Sequence, residues 1–489
     1  MRKTSKIFLF MALICSLIFC GMMSASALDA KGKCGDNVDY TYNKDTGALV
    51  ISGKGAMYDY DEKVSPFRGS DITSVTVKKG ITKVGAYAFE NCNKLEKATI
   101  TNTVKTMGSK AFYGCKKLAT IKMSSKLEKI GNSTFADCSK LESITLADTL
   151  KSIGGSAFSG CKSLKSIVIP DRVTTVNSSA FVACSSLETV EIGKSVNSLG
   201  LNTFGGCKNL KEFIVDAENK NYVIIDGALL NREMTKVIKY PAKSTRTTFT
   251  MPNSVTSTAE SVFAGSIYLE NIILSENLEK IAMSSFDGCT ALKSITIPAK
   301  VTNIGYEAFY DCTALQEIKV DKNNTKYSAV NGVLYNKDKT TLILYPEAKT
   351  TNAYAVPETV TVIKSRAFYD AKLEKVLFAD NLIEISEEAF LNCDNLRSVV
   401  MYDSIERIGD DAFAQCPNIT SVRYYGTQEK WNEIDIREGN ENLLNAAIEI
   451  KDDCNCHATG FKGFIYKIQL FFWKLFKLNR VCVCGANHF

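Results

Sequence analysis

The sequence predicts a repeat solenoid of the α/β type that is mostly β, and three observations lead to this fold class. A motif of a small residue, Phe, two variable residues and usually Cys recurs twelve times, and eight of the eleven steps between successive Phe residues are 23 residues long. A second apolar set, Leu-x-x-Ile-x-Ile, follows the Cys position, and its last two residues have the two-residue period of a strand. A third set precedes the Phe and often ends in Gly, as in Ile153-Gly154, where Gly suits a tight turn or a close backbone approach. The recurring residues are Phe89, Phe112, Phe135, Phe158, Phe181, Phe204, Phe263, Phe286, Phe309, Phe368, Phe390 and Phe413.

Stacking follows from the shortness of each unit. A unit of 23 residues cannot bury three apolar rows alone, whereas stacked units place Phe on Phe and Leu on Leu in interior columns. Neighbouring strands then pair in parallel, which satisfies their backbone donors and acceptors between repeats. The repeats occupy residues 72–425, and both ends of such an array need a cap.

The first 27 residues are typical of a secretory signal. Basic residues up to Lys6 precede an apolar run, Ile7 to Phe19, which is shorter than the roughly 20 residues of a membrane span. Ala25-Ser26-Ala27 then offers a small-residue cleavage site. We therefore expect a secreted protein that is extracellular or held at the cell surface. Removing the three basic residues of this segment from the 59 Lys+Arg leaves 56 against 53 Asp+Glu, a balance that predicts no nucleic-acid partner.

Residues 28–71 do not fit the repeat. Val38 to Tyr42 and Leu49 to Ile51 have strand-like composition and flank the turn Asn43-Lys44-Asp45-Thr46-Gly47. This segment is predicted to be an N-terminal β-hairpin cap.

Two insertions interrupt the array at about residues 216–251 and 321–356. Each adds 36 residues to a step, and the two resemble each other at an offset of 105 residues. Their alternating apolar residues around a turn predict an added β-hairpin that decorates the coil, with a functional flap as the alternative. The matching positions are Val215-Asp216, Tyr222, Gly227, Asn231, Tyr240-Pro241 and Pro252 with Val320-Asp321, Tyr327, Gly332, Asn336, Tyr345-Pro346 and Pro357.

The repeat unit written out from Ala157 to Ile169, Ala-Phe-Ser-Gly-Cys-Lys-Ser-Leu-Lys-Ser-Ile-Val-Ile, resembles the BspA-like leucine-rich repeats of bacterial surface proteins. Cys34-Gly35 with Ile51 to Met57 is similar to the cap that precedes such arrays, and Tyr425-Gly426-Thr427 with Trp431 is similar to their exit, here residues 426–452. The resemblance implies a right-handed leucine-rich repeat coil with short parallel strands. It also implies a secreted or surface-exposed binding protein, in some members an adhesin for host matrix proteins or other bacteria.

Ten cysteines, from Cys92 to Cys416, occupy the repeat position, and Ser266 and Ala371 replace Cys in two copies. A small apolar thiol packs well inside a protein, which predicts buried free thiols. Disulfides between neighbouring coils are the alternative, because the coil spacing suits them and the chain is predicted to be exported.

The C-terminal residues 453–489 gather four cysteines and both histidines of the protein. Thiolates and imidazoles of this number could bind zinc, although Cys-x-Cys spacing is tighter than usual. Disulfides that join the two cysteine pairs are equally consistent, and free thiols are the remaining alternative. Zinc is the one cofactor that the sequence suggests. The candidate ligands are Cys454, Cys456, His457, Cys482, Cys484 and His488.

A basic amphipathic helix is predicted between these cysteine pairs. Its lysines fall on one face and its large apolar residues on the rest, a pattern that suits either contact with an anionic membrane or envelope, or packing on the last coil as a cap. The contact candidates are Lys462, Lys467, Trp473, Lys474 and Lys477.

No catalytic constellation is evident. Both histidines lie in the C-terminal tail, and nucleophile-elbow, metalloprotease and phosphate-loop motifs are absent from the sequence. Asp59, Asp61 and Glu62 have the composition of calcium ligands but are more typical of a solvated loop. We therefore expect no enzymatic activity.

The leading functional hypothesis is a binding module. Parallel strands expose alternate side chains as an extended row of mixed chemistry, which suits a protein or glycan ligand on host or neighbouring cells better than a small molecule. The alternative is a structural, envelope-associated spacer held by its C-terminal tail. The candidate binding residues are Thr99, Lys122, Thr145, Val168, Glu191 and Ile214.

Overall fold

The computed structural model describes residues 28–60 and 65–451, which fold as two compact units. Within these residues, the first unit runs to Thr245 and includes Thr258–Ser266, and the second comprises Arg246–Ser257 and the chain from Ile267. Both units are mostly β and consist of stacked coils with short parallel strands, so the predicted solenoid fold class is confirmed. The predicted signal and C-terminal tail, including its helix, lie outside the described residues.

Two rows of strands run through the first unit. The front strands follow the Leu of each repeat, and the back strands precede its Phe. The N-terminal cap is a three-stranded antiparallel sheet at the start of the front strands. Its last strand, Ala48–Gly53, pairs in parallel with the first repeat strand, Ser74–Val77. The front strands are Lys31–Gly35, Val38–Asn43, Ala48–Gly53, Ser74–Val77, Lys97–Ile100, Thr120–Lys122, Ser166–Ile169, Thr189–Ile192 and Glu212–Val215. The back strands are Gly55–Ala56, Ile81–Val84, Thr106–Met107, Lys129–Ile130, Ser152–Ile153, Thr175–Val176 and Ser198–Leu199.

The second unit repeats this arrangement and ends in a cap. Its helix Gln428–Glu433 begins after Thr427, whose side chain accepts a hydrogen bond from the Lys430 amide, and Trp431 of this helix packs against Tyr424. The front strands are Thr248–Thr250, Asn271–Ile273, Ser294–Ile297, Glu317–Val320, Ala353–Ala355, Lys375–Leu377, Ser398–Tyr402, Ser421–Tyr425 and Ala447–Lys451. The back strands are Lys280–Ile281, Asn303–Ile304, Val362–Ile363, Glu384–Ile385, Arg407–Ile408 and Asp435–Ile436; a second short helix is Glu441–Leu444, and Ser257–Thr258 spans the boundary between the units.

The Phe residues form the predicted interior column. From Phe67 to Phe204, successive ring centroids lie 5.0 to 5.8 Å apart, and all seven rings are at most 2% exposed. Each inner ring is therefore covered on both faces by its two neighbours. Aromatic contacts of this kind contribute about 0.5–1.5 kcal/mol per pair beyond the free energy gained from burying apolar area.

Backbone hydrogen bonds join each coil to the next at this column. The Phe112 amide donates to the carbonyl of Thr134 and the Phe158 amide donates to the carbonyl of Ala180, both at 2.8 Å. Each coil thus satisfies polar backbone groups of its neighbour in the interior, where water cannot do so.

The two insertions contain more than the predicted hairpin. In the second, Tyr327–Val330 and Val333–Asn336 form the hairpin, and a third strand, Thr341–Leu344, pairs in parallel with back strand Val362–Ile363. The first insertion has the equivalent antiparallel strands Tyr222–Ile225, Ala228–Asn231 and Lys236–Lys239.

Each insertion also supplies an aromatic ring to the column. Tyr240 lies 5.7 Å from Phe263, and Tyr345 lies 5.0 Å from Phe368, in each case 23 residues before that Phe. Each insertion therefore continues the solenoid as well as adding a hairpin to it. The prediction of a hairpin alone missed this second role.

Seven of the twelve motif Phe residues have Gly four residues before them, and this Gly allows a close approach between coils, as predicted. A Cβ atom on Gly154 would lie 2.4 Å from the backbone of Gly131 in the preceding coil, whereas a Cβ on the adjacent Gly155 would meet no atom closer than 3.4 Å. The two neighbouring glycines thus differ in the space around them.

We expect Gly154→Ala to lower the free energy of unfolding by about 1–3 kcal/mol, because the added methyl group forces two backbones apart. The matched variant Gly155→Ala should be neutral or stabilise by up to about 1 kcal/mol. Urea denaturation of both variants would check this; equal stability of the two would contradict the proposed close packing of coils.

Candidate binding face and cysteine column

The predicted binding residues lie side by side on the front strands. In one sheet the strand register pairs Thr76 with Thr99, and Lys122 is the next member of the same row. In the other, it pairs Val168 with Glu191 and Glu191 with Ile214. We call the predicted residues, from Thr99 to Ile214, the front row.

One member of the front row departs from the prediction. Thr145 is exposed, but residues 141–147 form no strand, so the front sheet is interrupted between Lys122 and Val168. Thr99 is half-buried, and Lys122, Val168, Glu191 and Ile214 are exposed. The row therefore presents two segments with different chemistry, one polar and one largely apolar.

The second segment combines apolar and acidic groups. Val168 is 52% exposed and Ile214 is 46% exposed, and the carboxylate of Glu191 lies on the strand between them. In the second unit, Ile273 holds the same position in its repeat and is 53% exposed. Prediction from the first block of repeats missed Ile273, although its place directly after the inward Ile272 was a sufficient signal.

Charged side chains flank the strands and pair from coil to coil. The carboxylate of Glu128 lies 2.7 Å from the Lys151 ammonium and 3.5 Å from that of Lys105, and the hydrogen bond from Lys151 lowers its pKa. Equivalent pairs join Lys211 to Glu188 and Lys293 to Glu270. Exposed pairs of this kind contribute little to stability, so their main effect is a surface of alternating sign.

The repeat cysteines form a second interior column. All eleven cysteines within the described residues are free and buried, which agrees with the prediction of buried thiols and not with paired coils. The Cys115 Sγ donates to the carbonyl of Phe89 at 3.0 Å, and the Cys161 Sγ donates to that of Phe135 at 3.2 Å. Burial raises the pKa of Cys92 to about 12, so these thiols stay protonated and act as donors.

The candidate calcium residues are only partly described. Burial opposes ionisation of Asp59, but the Lys83 ammonium at 2.6 Å and the Ala86 amide at 2.7 Å lower its pKa overall. Its carboxylate is therefore engaged within the protein, and Asp61 and Glu62 lie outside the described residues. In the described part of the chain, no group of three or more acidic or cysteine side chains is arranged to hold a metal ion.

The tail candidates for zinc, disulfides and envelope contact, from Cys454 to His488, lie outside the described residues. Across residues 28–60 and 65–451, no helix has both the length and the apolar character needed to cross a membrane.

Comparison with known proteins identifies the repeat. A sequence model described as the BspA type leucine rich repeat region, six copies, matches residues 63–154, 128–246, 240–355 and 345–434. A search of curated proteins found no match.

Solved structures with similar folds include bacterial repeat proteins. A leucine-rich repeat protein from Eubacterium ventriosum is 26% identical with a TM-score of 0.54, and the match covers 79% of this chain and 94% of that one. A leucine rich cell surface protein from Faecalibacterium prausnitzii is 23% identical with a TM-score of 0.49, covering 82% and 96%. The pneumococcal vaccine antigen PcpA is 18% identical with a TM-score of 0.47, covering 87% and 100%. The first of these supports the leucine-rich repeat fold.

Ser266, which replaces Cys in one repeat, provides a test of the thiol column. Its hydroxyl is buried and has no hydrogen-bond partner among the described residues. We expect Ser266→Cys to raise the free energy of unfolding by about 1 kcal/mol, because a longer thiol would reach the carbonyl of Tyr240 and remove an unsatisfied group. The control Ser124→Cys should destabilise, since the Ser124 hydroxyl already donates to Val104 at 2.6 Å. Thermal denaturation would compare them; a loss of stability in Ser266→Cys would contradict the role of the thiol as a donor.

The reactivity of the column cysteines provides a second test. We expect iodoacetamide at pH 8.5 to label the eleven described cysteines slowly in the native protein, because all of them are buried and burial excludes the reagent. At Cys92 and Cys207, burial also raises the thiol pKa, which lowers the fraction of reactive thiolate. In denaturant without reductant, the same cysteines should react fully. Peptide mass spectrometry would resolve each site, and a linked pair such as Cys138 with Cys161 would contradict the free-thiol column.

Proposed function

The chain belongs to the family of BspA-type leucine-rich repeat proteins, and from this premise we propose that it is a secreted or cell-surface binding module without catalytic activity. It recognises a protein or glycan ligand on host or neighbouring cells through its front row. The observation that carries the proposal is the register of Val168, Glu191 and Ile214 on three paired strands.

The exposure of these residues supports a role in binding. In a strand of a packed sheet, an outward apolar side chain gains nothing from folding, whereas interfaces use such groups at their centre with polar groups around them. Val168 and Ile214 are about half exposed and have the acidic Glu191 between them. This combination suits a partner with an apolar ridge and a complementary polar group.

The strand geometry favours an extended partner. Successive front strands lie side by side at about the 4.8 Å spacing of a sheet, so side chains of one row repeat at that interval. A ligand that follows the row meets one residue of each coil in turn, and affinity accumulates over several weak contacts.

We expect the double variant Val168→Lys and Ile214→Lys to weaken ligand binding at least tenfold, because two lysines would have to lose water against an apolar partner. The matched control is Leu201→Lys, since Leu201 is 77% exposed and lies outside the front strands. Binding of the labelled full chain would be measured on immobilised host extracellular-matrix proteins, on a glycan array and on bacterial cells.

Two results would contradict the proposal. Retention of binding by the double variant would exclude the front row as the contact surface. Failure of the wild-type chain to bind any of these surfaces, together with an altered envelope in cells that lack the protein, would favour the alternative role as a structural spacer.

A further inference from the structure

A cavity of about 400 Å³ lies beside the second insertion, within the second unit. Its volume is in the range of small-ligand sites. The lining combines three tyrosines with charged and apolar groups. The residues that matter here are Tyr306, Tyr310, Leu344, Glu347, Arg366 and Tyr369.

Glu347 is the unusual group in this lining. It is 6% exposed, and its Oε2 atom has no hydrogen-bond partner among the described residues. Burial, together with the nearby carboxylates of Asp370 and Asp311, raises the pKa of Glu347 to about 8, while the Cys312 amide and Lys372 act in the opposite direction. Lys372 is already paired with Asp370 at 2.7 Å. When Glu347 is ionised, its Oε2 atom therefore lacks a donor, and a cation would supply it best.

The lining contains two cations, of which Lys364 is exposed and Arg366 is engaged elsewhere. Arg366 forms ion pairs with Glu307 and Glu388, and its guanidinium lies 5.7 and 5.2 Å from the ring centroids of Tyr306 and Tyr310. The Tyr310 hydroxyl donates to that of Tyr369 at 2.8 Å. These contacts fix Arg366 and the tyrosines as a preorganised wall.

The first insertion shows what the same position accommodates. At the offset of 105 residues, Ala242 corresponds to Glu347, Lys239 to Leu344 and Ser261 to Arg366. Lys239 is 5% exposed, and its ammonium donates to the carbonyl of Ser261 at 2.6 Å.

The two insertions also share a neighbouring cysteine. Burial raises the pKa of Cys207, and the charge of Lys239 opposes that rise, which places the ammonium near Cys207. Cys312 is the equivalent of Cys207, and its amide is the one that binds the Glu347 carboxylate. One insertion thus carries a buried ammonium where the other carries a buried carboxylate beside a cavity.

We propose that this cavity binds a primary ammonium group with the Glu347 carboxylate as its counter-ion, and that the ammonium belongs to a lysine side chain of a protein partner. The naming of a protein partner rests on the proposed function, whereas ammonium binding by the cavity does not. A lysine fits because its methylene stem packs on Leu344 and the Tyr306 ring while its head group donates to Glu347.

The test is calorimetric titration of the full chain with Nα-acetyl-lysine N-methylamide and with its uncharged counterpart, Nα-acetyl-norleucine N-methylamide. We expect the lysine compound to bind at least tenfold more tightly at pH 9. Equal binding of the two, or no binding of either, would overturn the proposal. Tighter binding of spermidine than of the lysine compound would overturn the assignment of a protein lysine as the source.

Three variants locate the binding group. Glu347→Gln, and Glu347→Ala, which introduces the residue found in the first insertion, should each weaken binding at least tenfold. Leu344→Lys should abolish binding, because it places in the cavity an ammonium group like that of Lys239 in the first insertion, and this group would occupy the site. The control Glu358→Gln changes an exposed carboxylate outside the cavity and should leave binding unchanged. Unchanged binding by Glu347→Gln would overturn the proposal, and the comparison of lysine with norleucine decides it even if a variant fails to fold.

The pH dependence separates an ionic role from a structural one. Glu347 is mostly protonated below pH 8, so ammonium binding must release its proton, and affinity should fall about tenfold for each pH unit below 8. The other charged groups around the cavity are Asp311, Asp370, Lys372, Glu307, Glu387, Lys364 and Arg366.

Affinity that does not vary with pH would contradict the assignment of Glu347. The double variant Val168→Lys and Ile214→Lys should keep the lysine binding of the wild type, so failure of the front row and failure of the cavity give different results.

Discussion

The hydrogen bond from the amide of most column Phe residues to a carbonyl in the following coil is the constraint on which the rest of the structure depends. It fixes the spacing of coils, and with it the stacking of rings, the pairing of strands and the contact at Gly154. Because every coil needs a neighbour, the array must end in groups that imitate one. At the C-terminal end the side chain of Asn440 does so, accepting from the Phe413 amide at 3.0 Å and donating to Gly409 at 2.9 Å.

The buried cysteines add a second hydrogen bond between neighbouring coils. The carbonyl of most column Phe residues accepts both a backbone amide and the thiol of the following coil, as Phe89 does from Cys92 and Cys115. A thiol is long enough to reach this carbonyl, apolar enough to be buried at low cost, and protonated because burial raises its pKa. Free buried thiols thus have a structural role here, which differs from the disulfide bonding that cysteines usually perform in secreted proteins.

Several features were predictable because they repeat. The Phe column, the parallel strands and the front row each follow from positions that recur at one interval. The N-terminal hairpin does not repeat, and it was predicted from two strand-like segments around a turn. Tyr240 and Tyr345 were missed as members of the column because each precedes Pro and lacks the Cys of the motif. The prediction also missed the left-handed backbone two residues before and two residues after each motif Phe. Gly, Asn or Asp stands at most of the positions two residues after the Phe, which provided a signal.

The sequence by itself determined the repeat, its period, its family and the chemistry of its exposed row, because each of these depends on residues at regular intervals. Only the tertiary structure decided which of the residues outside the repeat pattern lie close together. Tyr306, Glu347 and Arg366 come from three separate coils or turns and share no spacing, yet the second insertion brings them around one cavity. Burial decides the state of Glu347, and burial depends on contacts between residues far apart in the chain, which periodicity does not encode.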